Sequence, residues 1–373
     1  MLDEISQAVL AREEVVKYLR GGYGESGAQA RERIYAYLDE LRTTQRYPIY
    51  RALQHPLYPI LRKIERTPEN LHHVVAAVRE HRVVYASNHK SHTDYLVEPL
   101  VLDDNGVRPP LIAAGINLFG GPLGLLHRHV TGAIPIRRNT KDPGYLITLK
   151  AYVAELLKKH DLFFYPEGGR SYSGDLRPVK SGLIHAALTA GRSDLVIVLV
   201  AIAYDLVLED HVLAHQRVKK RQRAFARELA EMVRYAVGYH SRAFVTFGPP
   251  MPVGNCDPHS RSDVMALTRL IRARIGALYK VLPTSVFAAA MQPSISRRDL
   301  ESRIDRLIEE LSARHANLGV TSGRQAIDEA AGPLETRGII VLERGRFRVR
   351  ERSVLRYYRR TIEHLLVTTG RTH

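Results

Sequence analysis

The sequence predicts an α/β fold: a largely parallel central sheet flanked by helices, with a helical N-terminal region and a mixed helical and hairpin C-terminal region. Three observations predict it. Short apolar runs recur between residues 82 and 250, and helical patterns fall between them. A strand, a helix and then another strand is the mark of parallel pairing. On either side, residues 1 to about 80 carry helical spacing only, and the chain turns helical again after about 260. The regions expected are 1–80, 81–260 and 261–373.

Taken in order, "REEVVKYLR", "ARERIYAYLDELRTT" and "LHHVVAAVRE" place apolar residues every three or four positions, which gives each helix one apolar face. "RVVYAS" (82–87) reads as a short buried strand. Further strands lie in "RPPLIAAG", "TGAIPIRR", "DLFFYPEGG", "SDLVIVLVAIAYD" and "SRAFVTFGPP". Continuous apolar runs, rather than alternating ones, suit strands buried on both faces. "GYLITLKAYVAELLKKH" (144–160) is an intervening helix. Beyond 260 come "SDVMALTRLIRARIGALYKVL" and "SRRDLESRIDRLIEELSARH", both helical. Residues 322–351 read as a helix and a β-hairpin, and "VLRYYRRTIEHLLVTT" as a closing helix.

A chain of 373 residues can bury a sizeable core. The single cysteine, Cys256, excludes an internal disulfide or a CxxC metal site and suits a reducing cytoplasm. The first 20 residues are acidic early and lack a continuous apolar core, so no signal peptide is expected. A net charge of +16 points to a polyanionic partner: nucleic acid, anionic lipid or a phosphorylated substrate. "PPLIAAGINLFGGPLGLL" (109–126) has the length of a short membrane span, but three Pro and four Gly interrupt it. No transmembrane helix is expected. The chain has no GK dipeptide, no HExxH and no GxSxG, which argues against a P-loop NTPase, a zincin and a typical serine esterase.

Chemistry concentrates where strands end. "YASNHKSHTDYLVEP" leaves strand 82–87 and presents His89 and Asp94, five positions apart. α/β sheets place their sites at this edge. Asp94 in the first turn of the next helix can reach one imidazole nitrogen, leaving the other to take a proton from a hydroxyl. The same residues also fit a polar turn capping a helix beside surface histidines. "GAIPIRRN" ends a strand in Arg137 and Arg138, and "FFYPEGGRSYSG" ends one in Glu167, Gly168, Gly169, Arg170 and Ser171. Lys180 follows in "RPVKSG". Paired glycines let backbone amides approach a ligand, and arginine binds phosphate bidentately.

These blocks resemble the glycerolipid acyltransferases, and within them the glycerol-3-phosphate acyltransferases. "NHKSHTD" resembles their H-x4-D motif, "GAIPIRR" their G-x-F-F-I-R-R block, and "PEGGRSYSG" their E-G-G-R-S-R-[ST]-G block. "IAAGINL" and "RYYRRTIEHLL" resemble segments of the bacterial members. The resemblance covers roughly 80–250 and the closing helix. It departs at Tyr172, where Arg is usual, and at Leu199, where Pro is usual.

The resemblance implies acyl transfer from acyl-CoA or acyl–acyl carrier protein to the sn-1 hydroxyl of glycerol 3-phosphate, giving lysophosphatidate for phospholipid synthesis. It implies no metal and no cofactor beyond the acyl co-substrate. His89 would be the general base and Asp94 its orienting partner, with oxyanion donors among the backbone amides near His89. Arg137, Arg170 and Lys180 would hold the phosphate. Glu167, Gly168, Gly169 and Ser171 would shape the acceptor pocket. Alternative acceptors are lysophosphatidate and dihydroxyacetone phosphate. Outside the class stands an inactive, basic nucleic-acid-binding protein, which the alternating Arg344, Arg346, Arg348, Arg350 and Arg352 would suit. The motifs upstream already explain a basic protein, so no nucleic acid is expected. Leu118, Phe119, Leu123, Leu125 and Leu126 offer contact to a membrane or an acyl chain. Peripheral attachment to the cytoplasmic face of the cell membrane, through anionic lipid, is expected. The basic stretch 217–227 reads as a solvated helix face, with binding of anionic lipid or a carrier protein as the alternative.

Overall fold

A computed structural model describes residues 3–21, 26–52, 64–116, 119, 128–215 and 241–366. Three helices open the chain: α1 (Glu4–Ala11), α2 (Glu13–Leu19) and α3 (Gly27–Leu41). The sheet region then runs β1 (Ile64–Glu69), α4 (His72–Glu80), β2 (Arg82–Ser87), α5 (Asp94–Asp104), β3 (Leu111–Gly115) and β4 (Ala133–Ile136). It continues through α6 (Pro143–Leu156), β5 (Leu162–Phe164), α7 (Gly182–Leu188), β6 (Leu195–Tyr204), α8 (Asp210–His215), β7 (Ser241–Phe247) and β8 (Met251–Pro252).

The strands form one sheet in the order β1-β7-β6-β2-β5-β3-β4, with β8 pairing β6. Strands β6, β2, β5, β3 and β4 are mutually parallel, while β7 and β8 run antiparallel to β6. The expected largely parallel sheet is therefore present. All ten residues of β6 are buried, as its unbroken apolar run requires of a central strand.

Alternate residues of β6 feed two cores. Val196, Val198, Val200 and Ile202 pack with α4, α5 and the C-terminal helices. Leu195, Ile197 and Leu199 pack on the other face with α1–α3 and α6. Leu199 is thus a core residue, 2% exposed.

One expectation is corrected. Residues 1 to about 80 are not helices only, because β1 pairs in parallel with β7 at the sheet edge. "IERTPE" hides as a strand: it is mostly polar, and Pro68 is tolerated at an edge, where its missing N–H costs no ladder bond.

The C-terminal region holds α9 (Arg261–Leu278), α10 (Pro283–Ala290), β9 (Ser294–Ser296), α11 (Arg297–Ala313), α12 (Gly323–Thr336), β10 (Ile340–Glu343), β11 (Arg346–Val349), α13 (Arg352–Arg360) and α14 (Glu363–Leu366). The closing helix is two helices, not one. Thr361 lies between them, and its hydroxyl bonds the Tyr358 carbonyl at 2.6 Å. From α10 to β11 the order is helix, strand, helix, helix, hairpin, with β11 pairing both β10 and β9. This is winged-helix connectivity. Arg346 and Arg348 do share one exposed face of the hairpin, but Arg348 and Arg350 both pair with Glu343, at 3.3 and 2.8 Å. The exposed side of α12, the helix that would enter a DNA groove, carries Asp328 and Glu335 beside Arg324. Acidic residues at that position repel phosphate.

The C-terminal region locks onto the sheet edge that carries the expected chemistry. Gly174 has φ +87°, and a Cβ there would lie 2.0 Å from the Tyr357 carbonyl oxygen on α13. Only glycine permits that approach. Tyr358 donates to Asp210 at 2.6 Å, and Arg360 pairs with Asp175 at 3.4 Å.

Candidate active site

The parallel strands all point their C-terminal ends the same way, so the loops after β2, β4, β5 and β6 converge. After β2, Asn88 continues the ladder with its side chain: its amide donates to the Ile202 carbonyl at 2.9 Å and its oxygen accepts the Ile202 N–H at 2.7 Å. This pins the next residue, His89. Asp94 opens α5 and turns back onto the same loop. Its Oδ2 lies 2.8 Å from His89 Nδ1 and accepts the N–H groups of Lys90 at 2.7 Å and Ser91 at 2.9 Å. Its Oδ1 accepts the Tyr204 hydroxyl at 2.7 Å. Asp94 is fully buried and His89 is 9% exposed.

The geometry fixes the protonation. A carboxylate at 2.8 Å holds the proton on Nδ1, so Nε2 carries the free lone pair. Burial pushes the His89 pKa down to about 4; Asp94 opposes this, and the charge of Arg170 adds to it. At neutral pH the ring is an unprotonated base. The Tyr165 ring stacks on it at 4.2 Å and 17°. The Tyr165 hydroxyl donates to Glu98, which also accepts from Ser87 at 2.5 Å. Burial raises the Glu98 pKa well above the usual carboxylate range.

The turn after β5 is tied to the same loop. Glu167 accepts the His89 N–H at 3.2 Å through one oxygen and the Arg177 N–H at 3.0 Å through the other. Ser171 N–H donates to the His89 carbonyl at 3.0 Å. Gly168, at φ +70°, leaves room for Lys180: a Cβ would lie 2.9 Å from its Nζ. Arg170 is 7% exposed, stands over the Tyr172 ring at 5.6 Å and faces Glu209 at 3.5 Å. Tyr172, where the resemblance leads one to expect Arg, is an aromatic seat for Arg170.

The two strand-end arginines diverge. Arg137 turns to α3, where Glu40 holds it bidentately at 2.8 and 2.5 Å, with Tyr37 and Tyr145 rings beneath it. Arg138 turns to the site: its Nη1 would lie 3.7 Å from a Cβ at Gly169, and Arg177 Nη1 3.4 Å from it. Desolvation, then the charges of Arg170 and Arg177, lower the Arg138 pKa. The Lys180 pKa is lowered by desolvation, then by Arg177 and Arg138. Cations crowded in this way form a ready site for an anion.

Sequence reasoning missed Arg138 as a site residue, along with Arg177, Tyr165 and Tyr204. The one available signal was position, since each lies in or just after a block that ends a strand. The expectation of oxyanion donors in the His89 loop is corrected. The amides of His89, Lys90, Ser91, His92 and Thr93 are all engaged, by Glu167, by Asp94 twice, by Glu209 and by the Ser91 hydroxyl.

An apolar cleft of about 520 Å³, including its solvent-open part, is lined by Tyr95, next in sequence to Asp94, with Leu96 and Pro99 of α5, by Ile112 and Ala114 of β3, and by Phe119. Leu118, Leu123, Leu125, Leu126 and the 217–227 stretch lie outside the described residues.

The pH dependence follows from His89. Above its folded-state pKa the base is free; below it the base is protonated. The acid limb of kcat/KM is therefore expected near pH 4 rather than 6.5. An anion bound near Arg170 would offset one charge that depresses the ring, so the acid limb of kcat should then lie higher. Stability should fall with acidity over the same window, because between about 6.5 and 4 the unfolded chain gains a proton that folded His89 does not. Initial rates and chemical unfolding between pH 4 and 8 check both.

Residues 63–203 match the family model described as Acyltransferase. A glycerol-3-phosphate acyltransferase of Aeromonas hydrophila subsp. hydrophila is 28% identical over 92% of this chain and 47% of its own length. One of Haemophilus ducreyi is 30% identical over 78% of this chain and 40% of its own. The chain therefore spans less than half the length of these curated relatives. A crystal structure of the 1-acyl-sn-glycerophosphate (LPA) acyltransferase PlsC from Thermotoga maritima aligns with TM-score 0.35 at 14% identity, over 73% of this chain and 93% of that one, too loosely to carry an argument.

Proposed function

We propose, from the premise that residues 63–203 are an acyltransferase domain, that the chain transfers a fatty acyl group from acyl-CoA or acyl–acyl carrier protein to the sn-1 hydroxyl of glycerol 3-phosphate. The observation that carries this reading is the buried His89–Asp94 pair at 2.8 Å beside the cationic cluster. Nε2 takes the proton of the acceptor hydroxyl as its oxygen attacks the thioester carbonyl. The tetrahedral intermediate collapses, the C–S bond breaks, and the Nε2 proton passes to the departing thiolate. No nucleophilic Ser or Cys is needed. Arg138, Arg170 and Lys180 hold the acceptor phosphate, and Arg137 stays with Glu40. Glu167, Gly168, Gly169 and Ser171 shape the pocket through their backbone ties. The acyl chain enters the apolar cleft past Tyr95 and Phe119. Incubation of labelled glycerol 3-phosphate with acyl-CoA tests this: the label should move into organic-extractable 1-acyl lysophosphatidate, and label remaining in the aqueous phase would reject it.

The same reading puts the protein at the cytoplasmic face of the cell membrane. Among the described residues no helix is long and apolar enough to cross a bilayer. Ile116, which follows β3, is 39% exposed. The net charge adds attraction of about 1 kcal/mol for each basic residue near an anionic surface. Flotation should show binding to anionic vesicles, weaker binding to neutral ones, and a salt-resistant fraction that Leu118→Asp with Phe119→Asp removes. A protein that never floats yet is active on soluble substrates would contradict this.

A further inference from the structure

We propose that Tyr204 is a positioning residue that completes a His89–Asp94–Tyr204 relay and sets how strongly Asp94 holds the His89 proton. This rests on reading His89 as the base. Tyr204 ends the central strand β6, its ring packs in the core, and it is 5% exposed. Its hydroxyl donates to Asp94 Oδ1 at 2.7 Å, the oxygen that His89 does not touch. Asp94 thus has four donors: the imidazole, two loop amides and one phenol. The amides are fixed by the backbone. Among the described donors to Asp94, the phenol is the one whose donor strength a side-chain change can tune without disturbing the loop.

The phenol is itself aimed. The Thr93 hydroxyl lies 3.1 Å from the Tyr204 oxygen, and Ser91 lies 2.8 Å from the Thr93 hydroxyl and donates to Glu209 at 2.9 Å. The chain of hydroxyls runs from buried Glu209 back to Asp94. A phenol donating to a carboxylate draws charge from it, which weakens its pull on the Nδ1 proton. The base then gives up the proton more readily to the departing thiolate.

Other groups face the pair and must stay constant for a shift to be read. Lys90 and His92 lie on its own loop, and Glu98 on α5. Glu167 and Arg170 follow β5, with Tyr165 stacked on the imidazole. Tyr279 beyond α9 and Tyr357 on α13 complete the wall, since both feel the Asp94 charge. None makes a hydrogen bond to Tyr204 among those described, so changes at its hydroxyl leave them in place.

Tyr204→Phe keeps the ring and removes the donor. Asp94 then pulls harder on Nδ1, the protonated imidazole is favoured, and the acid limb of kcat/KM should move up by about 0.5–1 pH unit. kcat should fall by about 3- to 30-fold, with KM for the acceptor little changed. Site-specific 3-fluorotyrosine at 204 makes the phenol a stronger donor, so its acid limb should move down. Opposite shifts in the two variants are the expected signature, and a purely structural tyrosine would not produce them. If Tyr204→Phe does not fold, fluorotyrosine alone still decides, because it preserves ring and hydroxyl. An unmoved acid limb in the folded variants overturns the proposal. The two readings fail separately. An active His89→Ala protein sinks the base assignment, while an inactive one with unshifted Tyr204 variants sinks only the relay.

Discussion

His89→Ala is expected to lower turnover by at least ~100-fold, the scale of a lost general base. Its fold should persist, because the ring contributes stacking on Tyr165 and one bond to Asp94 but lies at the edge of the core. Asp94→Asn should be nearly as damaging, for a different reason. An amide at 94 can offer its NH₂ group to Nδ1, which would move the proton to Nε2 and remove the lone pair that the hydroxyl needs. It would also weaken acceptance from Lys90 and Ser91, so the loop should loosen. Steady-state rates beside thermal unfolding separate the two effects. A folded His89→Ala protein with near-normal turnover would contradict the assignment.

Arg138→Ala is expected to reduce kcat/KM for glycerol 3-phosphate by about 10- to 150-fold, from a charge-assisted contact worth roughly 1.5–3 kcal/mol. Arg170→Ala should do the same, with added destabilisation because Glu209 would be left buried opposite it. Glycerol, lacking the phosphate, should be a poor acceptor and should lose little further in these variants. Arg137→Ala is the internal control. Its guanidinium is committed to Glu40, so it should change acceptor use by no more than a few-fold. Equal losses with glycerol and glycerol 3-phosphate would show that these arginines do not read the phosphate.

Much of this architecture was legible in the sequence because it is local. The strand at 82–87, the turn to His89 and the return to Asp94 lie within 13 residues, and short loops leave little freedom. Apolar runs marked the inner strands since both faces are buried. What stayed hidden depends on partners distant in sequence. Which of two consecutive arginines faces the site is decided by Glu40, 97 positions away. Tyr204 meets Asp94 across 110 positions. β1 was masked by polar residues and a proline that only an edge tolerates. Loop amides can be predicted as near a site, but not as already spent on Asp94 and Glu209.

The most direct measurement is thiol release from acyl-CoA with a panel of acceptors under identical conditions: glycerol 3-phosphate, dihydroxyacetone phosphate, lysophosphatidate, glycerol and none. Cleavage should be fastest with glycerol 3-phosphate, slow with glycerol, and should vanish in His89→Ala. Release that is independent of acceptor, or fastest with lysophosphatidate, would contradict glycerol 3-phosphate as the substrate of this site.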